Sequence, residues 1–289
     1  MSFEIVTDSA ANLPEEMIEQ YGIHVLSLSF FVDDKEYYSY EPGKKTDLSS
    51  FYEMMRQKKE IRTSLVNLEQ AKQMMEQLAG EGKDVLYVGF SSALSGTFQA
   101  VNLAMEEVQE QYPERKMLAV DTLAAALGEG YLVRMAVEKR DSGMEIEKVQ
   151  QWILDQRLHM CHWFTVDDLF FLKRGGRISA ATAVMGTALS VKPILHMDNN
   201  GCLVNVSKTR GRKKSLDALL EKYKQTAIDI GKLPVYISHG DCLEDAKYLE
   251  KRLREDYGVQ EIVTQVLDPV IGAHAGPGTA ALLFLGTER

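Results

Sequence analysis

A chain of 289 residues is long enough for one large domain or two ordinary domains, each with a hydrophobic core. Its formal net charge of −9 opposes binding to nucleic acid and to anionic membrane surfaces. No stretch approaches the roughly 18 apolar residues of a membrane-spanning helix, and the first residues lack the basic and apolar regions of a signal peptide. Three cysteines without a C-x-x-C pair indicate a reducing compartment, with neither a zinc site nor a disulfide framework. We therefore expect a cytoplasmic protein that binds neither nucleic acid nor metal.

Short apolar runs alternate with helical patterns in the first half of the chain, which is typical of parallel strands joined by crossover helices. The predicted strands are FEIVTDSA, IHVLSLSFFV, DVLYVGF and KMLAVDT. The predicted helices are LPEEMIEQYG, SFYEMMRQKK, LEQAKQMMEQLAGEG, TFQAVNLAMEEVQEQYP, LGEGYLVRMAVEKRDSG and EIEKVQQWILDQRLHM. Asn67 is expected to cap the third of these helices. A hairpin is expected within DDKEYYSYEPGKKTDLSS, and IRTSLVN is interpreted as a loop.

The second half of the chain has a different pattern of predicted strands and helices, which places a domain boundary near residues 156–161. HWFTVDDLFFLKRGGRIS predicts a strand, a short helix and a glycine turn. KPILHMDNNGCLVNVSKTRG predicts a hairpin, because DNNG is a strong turn signal. A helix, a strand and a second helix follow in RKKSLDALLEKYKQTA, LPVYISHGD and CLEDAKYLEKRLREDYG. The chain closes with two apolar runs around a glycine-rich bend, IGAHAGPG.

Hydroxyl side chains crowd the junction between the strand predicted at residues 84–90 and the next helix, in the sequence FSSALSGTFQA. Ligands of open α/β sheets bind beyond the carboxyl ends of the strands, where helix N-termini present N–H groups and partial positive charge. Gly96 lets the backbone approach a ligand, and Ser95 and Thr97 add hydroxyl donors. The segment is therefore a candidate site for a carboxylate or a phosphate. The competing interpretation is that a Ser or Thr only caps its own helix. A Walker-type phosphate loop is excluded, because no G-K-[ST] follows.

Two further segments could contribute to such a site. Thr63 and Ser64 lie after Ile61 and would form its far side if the two strands are neighbours; otherwise they are ordinary loop hydroxyls. His274 stands among three glycines and a proline, which implies a backbone held in an unusual path. A histidine there could donate to an anion or move a proton, or it could be structural.

Basic residues cluster in KRGGRIS and KTRGRKKS on an otherwise acidic chain. Such a patch attracts phosphate-bearing or acidic partners, or it is a solvated face. RNA binding is not favoured, because there is no RNP or KH signature. Two other classes of function stay open. One is an acyl hydrolase that uses Ser95, His274 and an aspartate such as Asp8 or Asp121, although FSSALSG is not a G-x-S-x-G elbow. The other is a phosphate- or nucleotide-binding module at the same helix terminus.

Seven segments stand in one order along the chain: IVTDSAANLP, RTS, SSALSGTFQA, LKRGGRIS, KPIL, KTRGRKKS and IGAHAGPG. Together they resemble the DegV family, and the resemblance covers essentially the whole chain. It implies an α/β, DegV-like fold of two domains. These are an N-terminal parallel-sheet α/β domain over residues 1–158 and a C-terminal α+β domain with a mixed sheet over residues 159–289. A ligand tunnel is expected between or beside them.

Members of this family are similar to the fatty-acid-binding subunits of bacterial fatty acid kinase. The resemblance implies that the chain binds a long-chain fatty acid in a buried tunnel and presents it to an ATP-dependent kinase subunit. The kinase would form an acyl phosphate for phospholipid synthesis. On this expectation the chain is a non-catalytic lipid-binding subunit without a cofactor, and it contacts the membrane transiently for lipid exchange.

The resemblance also implies roles for individual residues. Thr63 and Ser95 are expected to hydrogen-bond the fatty-acid carboxylate, and His274 to complete the polar end of the site. Ala126 stands where the family often has serine, and TSLVN replaces the usual TSQPS, which makes that side of the cavity more apolar. The remaining expected residues are the supporting loop members and those that face the kinase or the phosphoryl group: Ser64, Ser92, Gly96, Thr97 and Gly276, then Arg177, Arg210 and Arg212.

Overall fold

Helices and strands alternate along most of the chain in the structure, a computed structural model that describes residues 3–179 and 191–289. Before residue 157 the strands are β1 (Glu4–Asp8), β2 (His24–Leu26), β3 (Ser29–Val32), β4 (Lys35–Tyr38), β5 (Ile61–Ser64), β6 (Val85–Gly89) and β7 (Met117–Asp121). The helices of this part are α1 (Glu15–Tyr21), α2 (Leu48–Arg56), α3 (Leu68–Gly80), α4 (Thr97–Gln111), α5 (Leu127–Asp141) and α6 (Ile146–Gln156). A short 3-10 helix, Ser9–Ala11, follows β1.

A second 3-10 helix, Arg157–His159, leads into the rest of the chain. The strands there are β8 (Met160–Thr165), β9 (Val191–Met197), β10 (Leu203–Arg210), β11 (Val235–His239), β12 (Ile262–Val266) and β13 (Ala280–Leu285). The helices are α7 (Phe170–Arg174), α8 (Arg212–Thr226), α9 (Leu243–Tyr257) and α10 (Pro269–Ala275). The described residues divide into two compact units. The first unit holds the chain up to Thr46 and Thr63–Arg157, and the second holds Asp47–Arg62 and Leu158–Arg289.

The first unit is built on a parallel sheet of four strands in the order β2-β1-β6-β7. Helix α1 makes the crossover from β1 to β2, and α4 makes the crossover from β6 to β7. Ile5, Leu86 and Val88 are completely buried, as expected of parallel strands covered on both faces. A small sheet in the order β4-β3-β5 accompanies it. The predicted parallel-sheet α/β architecture is confirmed.

The second unit contains a mixed sheet of six strands in the order β10-β9-β8-β13-β11-β12. Only β11 and β12 run parallel, and the other neighbours are antiparallel. Leu219 of α8 and Leu249 of α9 pack in one core cluster with Leu282 of β13, and all three are fully buried. The hairpin predicted around DNNG is the pair β9–β10. The predicted mixed sheet is confirmed.

Two sequence-based element predictions are wrong because residues distant in the chain determine the local structure. IHVLSLSFFV was expected to form one strand, but β2 and β3 are separate strands in different sheets. The break is fixed by Ser9 Oγ, which accepts the Leu28 N–H at 3.0 Å, and by Ser27 Oγ, which accepts the Tyr40 N–H at 2.9 Å. IRTSLVN was expected to be a loop, but its first four residues form β5 at the edge of the small sheet.

The glycine-rich bend around His274 is also different from the prediction, because residues 269–275 form helix α10. Asp268 caps this helix by accepting the Ile271 N–H at 2.7 Å, and Pro269 occupies its first turn. Gly272 is helical, and a Cβ there would lie 2.6 Å from Tyr52 Oη. Its role is therefore close packing. The unusual backbone path is confined to Gly276 and Gly278, which have positive φ.

All three cysteines are free thiols: Cys161 is buried, Cys242 is half-buried and Cys202 is exposed in the turn between β9 and β10. Burial raises the pKa of both Cys161 and Cys242 to about 12. No helix within residues 3–179 and 191–289 has the length and apolar character needed to cross a membrane.

Candidate functional site

The carboxyl ends of β1, β6 and β7 lie at one edge of the parallel sheet of the first unit. The chain leaves these strands at Asp8, Gly89 and Asp121. Residues 90–96, here called the β6 loop, carry the hydroxyl groups that the sequence singled out. Ligands of open α/β sheets bind at such an edge, so this loop is the candidate site of the first unit.

Five backbone N–H groups of the β6 loop are paired within the protein. The Phe90 N–H donates to Asp8 Oδ2 at 3.1 Å, and the Ser91 N–H donates to Ala124 O at 3.0 Å. The Ser92 N–H donates to Asp121 Oδ1 at 3.3 Å. The amides of residues 94 and 95 both donate to Ser91 O. These five loop amides precede helix α4 and already have acceptors within the protein, so they are not available to an anion.

Ser95 lies directly before Gly96, the N-cap residue of helix α4, and is half-buried. Its Oγ accepts the Thr97 N–H at 3.2 Å and lies 2.9 Å from Thr97 Oγ1. Ser95 therefore bonds the first N–H group of the helix, although it does not occupy the N-cap position. Two hydroxyl groups carry two hydrogens, and their mutual bond uses only one. When the Thr97 hydroxyl donates to Ser95, the Ser95 hydrogen is left to donate to an anion, and the bonds it accepts polarise it toward that acceptor.

The structure brings the β5 exit beside the β6 loop. A Cβ built on Gly96 would lie 3.4 Å from Leu65 Cδ2, and Leu65 directly follows Thr63 and Ser64. Thr63 is half-buried at the end of β5, and Ser64 is exposed. The two hydroxyl-bearing segments that the sequence suggested as opposite sides of one site are thus neighbours in the first unit.

In the second unit, His274 packs against the glycine turn after α7. The backbone at Gly175 approaches the His274 ring so closely that a Cβ on Gly175 would overlap Nδ1. The KRGG and IGAHAG segments, which the sequence analysis treated separately, therefore meet here. Gly276 ends α10 with a φ of 86°, and its N–H donates to Gly272 O at 2.8 Å. A side chain at Gly276 would collide with Phe171, so this glycine permits close packing.

His274 is electrically neutral at physiological pH. Burial, followed by the nearby charges of Arg177 and Arg174, lowers its pKa to about 4. A neutral imidazole carries one N–H donor and one acceptor nitrogen, so this residue can donate a single hydrogen bond to an anion. Arg177 is half-buried, donates to Gly175 O, and has its own pKa lowered by burial.

The basic residues at the start of α8 have different surroundings. Arg212 is half-buried, with Nη2 at 2.8 Å from Asp245 Oδ2 and Nη1 at 3.6 Å from Asp167 Oδ1. Much of its charge is therefore matched inside the protein. Arg210 ends β10 and is exposed, and none of the ion pairs found among the described residues includes it. Of the two, Arg210 is the better placed to meet an anionic partner.

The two aspartates considered for a hydrolase triad hold the backbone instead. Asp8 accepts the N–H groups of Ala10 and Phe90, and Asp121 accepts those of Ser92 and Leu123. Sequence analysis missed this role. The sequence feature that indicates this role is that each aspartate is the last residue of its strand, β1 in IVTD and β7 in LAVD.

A family model described as "Uncharacterised protein, DegV family" matches residues 2–287. The chain belongs to the DegV family. A DegV domain-containing protein of Clostridium perfringens is 40% identical over 287 residues, which cover 99% of this chain and 98% of that protein.

Solved DegV structures share the fold over the whole chain. A Thermus thermophilus DegV family protein, described by its fatty acid binding, has a TM-score of 0.88 and 29% identity, with 99% of this chain and 100% of that chain covered. DegV of Bacillus subtilis, described as a fatty acid binding protein, has a TM-score of 0.84 and 28% identity at the same coverage. The resemblance seen in the sequence is confirmed.

Proposed function

We propose that this DegV protein binds a long-chain fatty acid, whose carboxylate is held by the hydroxyls of Thr63 and Ser95. The observation that carries the proposal is the contact of the β5 exit with the β6 loop, at the carboxyl edge of a sheet in a fold shared with fatty-acid-binding DegV proteins. In the second unit, neutral His274 is proposed to donate one hydrogen bond to a carboxylate or phosphoryl oxygen.

Hydroxyl donors suit a carboxylate that must later react. A bidentate arginine would match the charge of the carboxylate and reduce its nucleophilicity. Hydroxyl groups orient the carboxylate but leave much of its negative charge on the oxygens. The acyl chain supplies most of the affinity, because each buried CH₂ contributes about 0.8 kcal/mol. A chain of about sixteen carbons therefore contributes on the order of 10 kcal/mol before the entropic cost of binding.

The experiment that tests fatty-acid binding is denaturing extraction of the purified protein, with mass spectrometry of the organic phase. We expect about one fatty acid per chain, and the mass identifies the preferred acyl chain. If the extract is empty, also after incubation with mixed fatty acids, the proposal is contradicted. The candidate site would then bind an anion of another class.

Ser95→Ala distinguishes ligand binding from a purely structural bond at the start of a helix, and Asn67→Ala is its matched control. Asn67 caps α3 by accepting the N–H groups of Glu69 and Gln70 at 2.9 and 3.2 Å. Each variant loses a side-chain acceptor for a backbone N–H at the start of a helix, and about 1 kcal/mol of stability. Only Ser95→Ala is expected to lose the extracted fatty acid, with its affinity for an added fatty acid reduced about tenfold or more. Equal occupancy in the two variants would contradict the role of Ser95.

We propose that the fatty acid is presented to a kinase through a basic surface that includes Arg177, Arg210 and Arg212. An ATP-dependent kinase subunit would bind this surface and transfer a phosphoryl group from ATP to the carboxylate oxygen, releasing ADP. Arg210→Ala should retain the fatty acid and lose acyl phosphate formation when kinase and ATP are supplied. Lys232→Ala, which removes an exposed lysine paired with Asp229, is the control. Unchanged acyl phosphate formation by Arg210→Ala would rule out this role.

A further inference from the structure

Asp8 is a completely buried carboxylate beneath the β6 loop. Its Oδ1 accepts the Ala10 N–H at 3.0 Å. Its Oδ2 accepts the Tyr87 O–H at 2.7 Å and the Phe90 N–H at 3.1 Å. One carboxyl group therefore ties the end of β1 to the first residue of the β6 loop. All three donors are neutral groups.

Through its ring, Tyr87 contacts residues on both sides of the same loop. Its ring covers Gly89, where any Cβ would collide with it. The ring also stacks on Phe98 in the first turn of α4, with centroids 5.9 Å apart and an interplanar angle of 20°. The β6 loop thus passes over Tyr87 and is anchored through that side chain and through the backbone to Asp8. Ser95 lies between these two anchor points in the chain.

Two further carboxyl groups, those of Glu129 and Asp121, lie in the region around Asp8 and Tyr87. Glu129 of α5 is buried, with Oε1 3.1 Å from Thr7 Oγ1 in the strand of Asp8. Asp121 ends β7, and its charge together with those of Asp8 and Glu129 raises the pKa of Tyr87, for which burial is the main cause. Burial also raises the pKa of Asp8 to about 6, against the opposing effect of its three hydrogen bonds. Its protonation therefore falls close to neutral pH.

We propose that Asp8 is a positioning residue for the carboxylate site: its ionised form fixes the β6 loop that presents Ser95, and its protonated form releases the loop and weakens fatty-acid binding. The part that concerns the ligand rests on the proposed function. The part that concerns the loop does not, because it depends only on contacts within the protein.

The chemistry of a carboxyl group explains the change. An ionised carboxylate is acceptor-only and takes all three hydrogen bonds, two of them on Oδ2. Protonation on Oδ2 turns that atom into a donor, which opposes the O–H of Tyr87 and the N–H of Phe90. Bonds to an ionised acceptor are also about twice as strong as bonds to a neutral one. Protonation of Asp8 therefore weakens the anchor at Phe90.

Hydrogen exchange of the delipidated protein between pH 5 and 8 tests the loop directly. A peptide from residues 88–98 is compared with a peptide from α9, which corrects for the intrinsic effect of pH on exchange. We expect protection of residues 88–98 to fall several-fold as the pH falls through about 6.

Three variants assign the titration. Asp8→Asn should give low protection that does not change with pH, because its amide cannot accept from every partner. Tyr87→Phe keeps the ring and the Asp8–Phe90 bond but removes a bond that lowers the pKa of Asp8, so its transition should move to higher pH. Glu129→Gln, which alters another buried carboxyl group of the same region, should keep the wild-type transition.

The outcomes separate the two proposals. An unchanged transition in Tyr87→Phe, or protection in Asp8→Asn equal to wild type, overturns the positioning role. If Asp8→Asn does not fold, the Tyr87→Phe transition still decides. Affinity for palmitic acid at pH 7.5 should fall about tenfold in Asp8→Asn relative to Glu129→Gln, the equivalent of one charge-assisted hydrogen bond. A loop transition without any palmitic acid binding would refute the proposed function and leave the loop anchor standing.

Discussion

Protonation of His274 is opposed by the fold. In the unfolded chain the imidazole takes up a proton near pH 6.5, whereas in the native protein its pKa is about 4. Between these values the unfolded state binds more protons, so the free energy of unfolding decreases as the pH falls from 6.5 toward 4. The difference corresponds to at most about 3 kcal/mol, and to less where solvent reaches the ring.

The contribution of Asp8 to the free energy of unfolding has the opposite dependence on pH. Its native pKa of about 6 lies above the usual 3.8, so the native state binds more protons between those values. Its contribution to stability is therefore complete below pH 3.8 and is lost as the pH rises through about 6. The two effects differ in sign because unfolding brings Asp8 into water, whereas release of the loop breaks its bond to the Phe90 N–H and leaves the carboxyl group buried. Protonation of Asp8 therefore opposes unfolding of the whole protein but favours release of the β6 loop.

Urea unfolding at a series of pH values checks both signs. His274→Gln should remove the loss of stability on acidification between pH 6.5 and 4, relative to wild type. Asp8→Asn should remove the loss on raising the pH from 4 to 6. Parallel profiles for wild type and both variants would show that neither group titrates as its surroundings indicate.

At the scale of elements, two helical glycines have different structural roles. Gly130 of α5 packs against the chain after β1, where a Cβ would lie 2.7 Å from Ala11 O and 2.9 Å from Leu13 Cδ2. Gly80 at the end of α3 is open, with the nearest atom 3.9 Å from a Cβ. Helix propensity alone predicts that both glycines weaken their helices.

These two positions should respond oppositely to alanine. Gly80→Ala should raise the free energy of unfolding by up to about 0.5 kcal/mol through helix propensity. Gly130→Ala should lower it by about 1–3 kcal/mol through overpacking. Thermal and urea unfolding of both variants provide the measurement, and stabilisation by Gly130→Ala would contradict the close approach to Ala11.

Elements with local determinants were predictable from the sequence. Asn67 signals the start of α3 by its own side chain. The hairpin expected within residues 33–50 begins earlier than predicted: its first strand is β3, and it turns at Asp33 and Asp34, both at positive φ. The break between β2 and β3 was not predictable, because its partner Ser9 lies 19 residues away. The anion-site loop was found by its hydroxyls, but the pairing of its amides depends on Asp8, 82 residues from Phe90.

At the scale of the whole molecule, the second unit takes in a segment from the first part of the chain. Helix α2 belongs to it, and Tyr52 of that helix donates to Leu267 O at 3.0 Å across 215 positions. Close packing at Gly272 completes this attachment. Local sequence patterns carry no information about such a contact, because the two segments share no period or turn.

Ligand removal should destabilise the protein as a whole. A ligand that binds only the native state, at a free concentration 100 times its Kd, adds about 2.7 kcal/mol. Delipidation should therefore lower Tm by several degrees, and added fatty acid should restore it in a saturable manner. A fatty alcohol of equal length, which lacks the carboxylate, should restore less. Equal recovery with the alcohol would contradict recognition of the carboxylate.

The different environments of the three cysteines allow selective chemical labelling. Thiolates are the reactive form of cysteine, and burial keeps Cys161 and Cys242 protonated at neutral pH, with pKa values raised to about 12. Cys202 is exposed at the tip of the β9–β10 hairpin. A maleimide dye should therefore attach at this one position in the native wild-type protein. Labelling there gives an optical reporter in the second unit without any engineered cysteine.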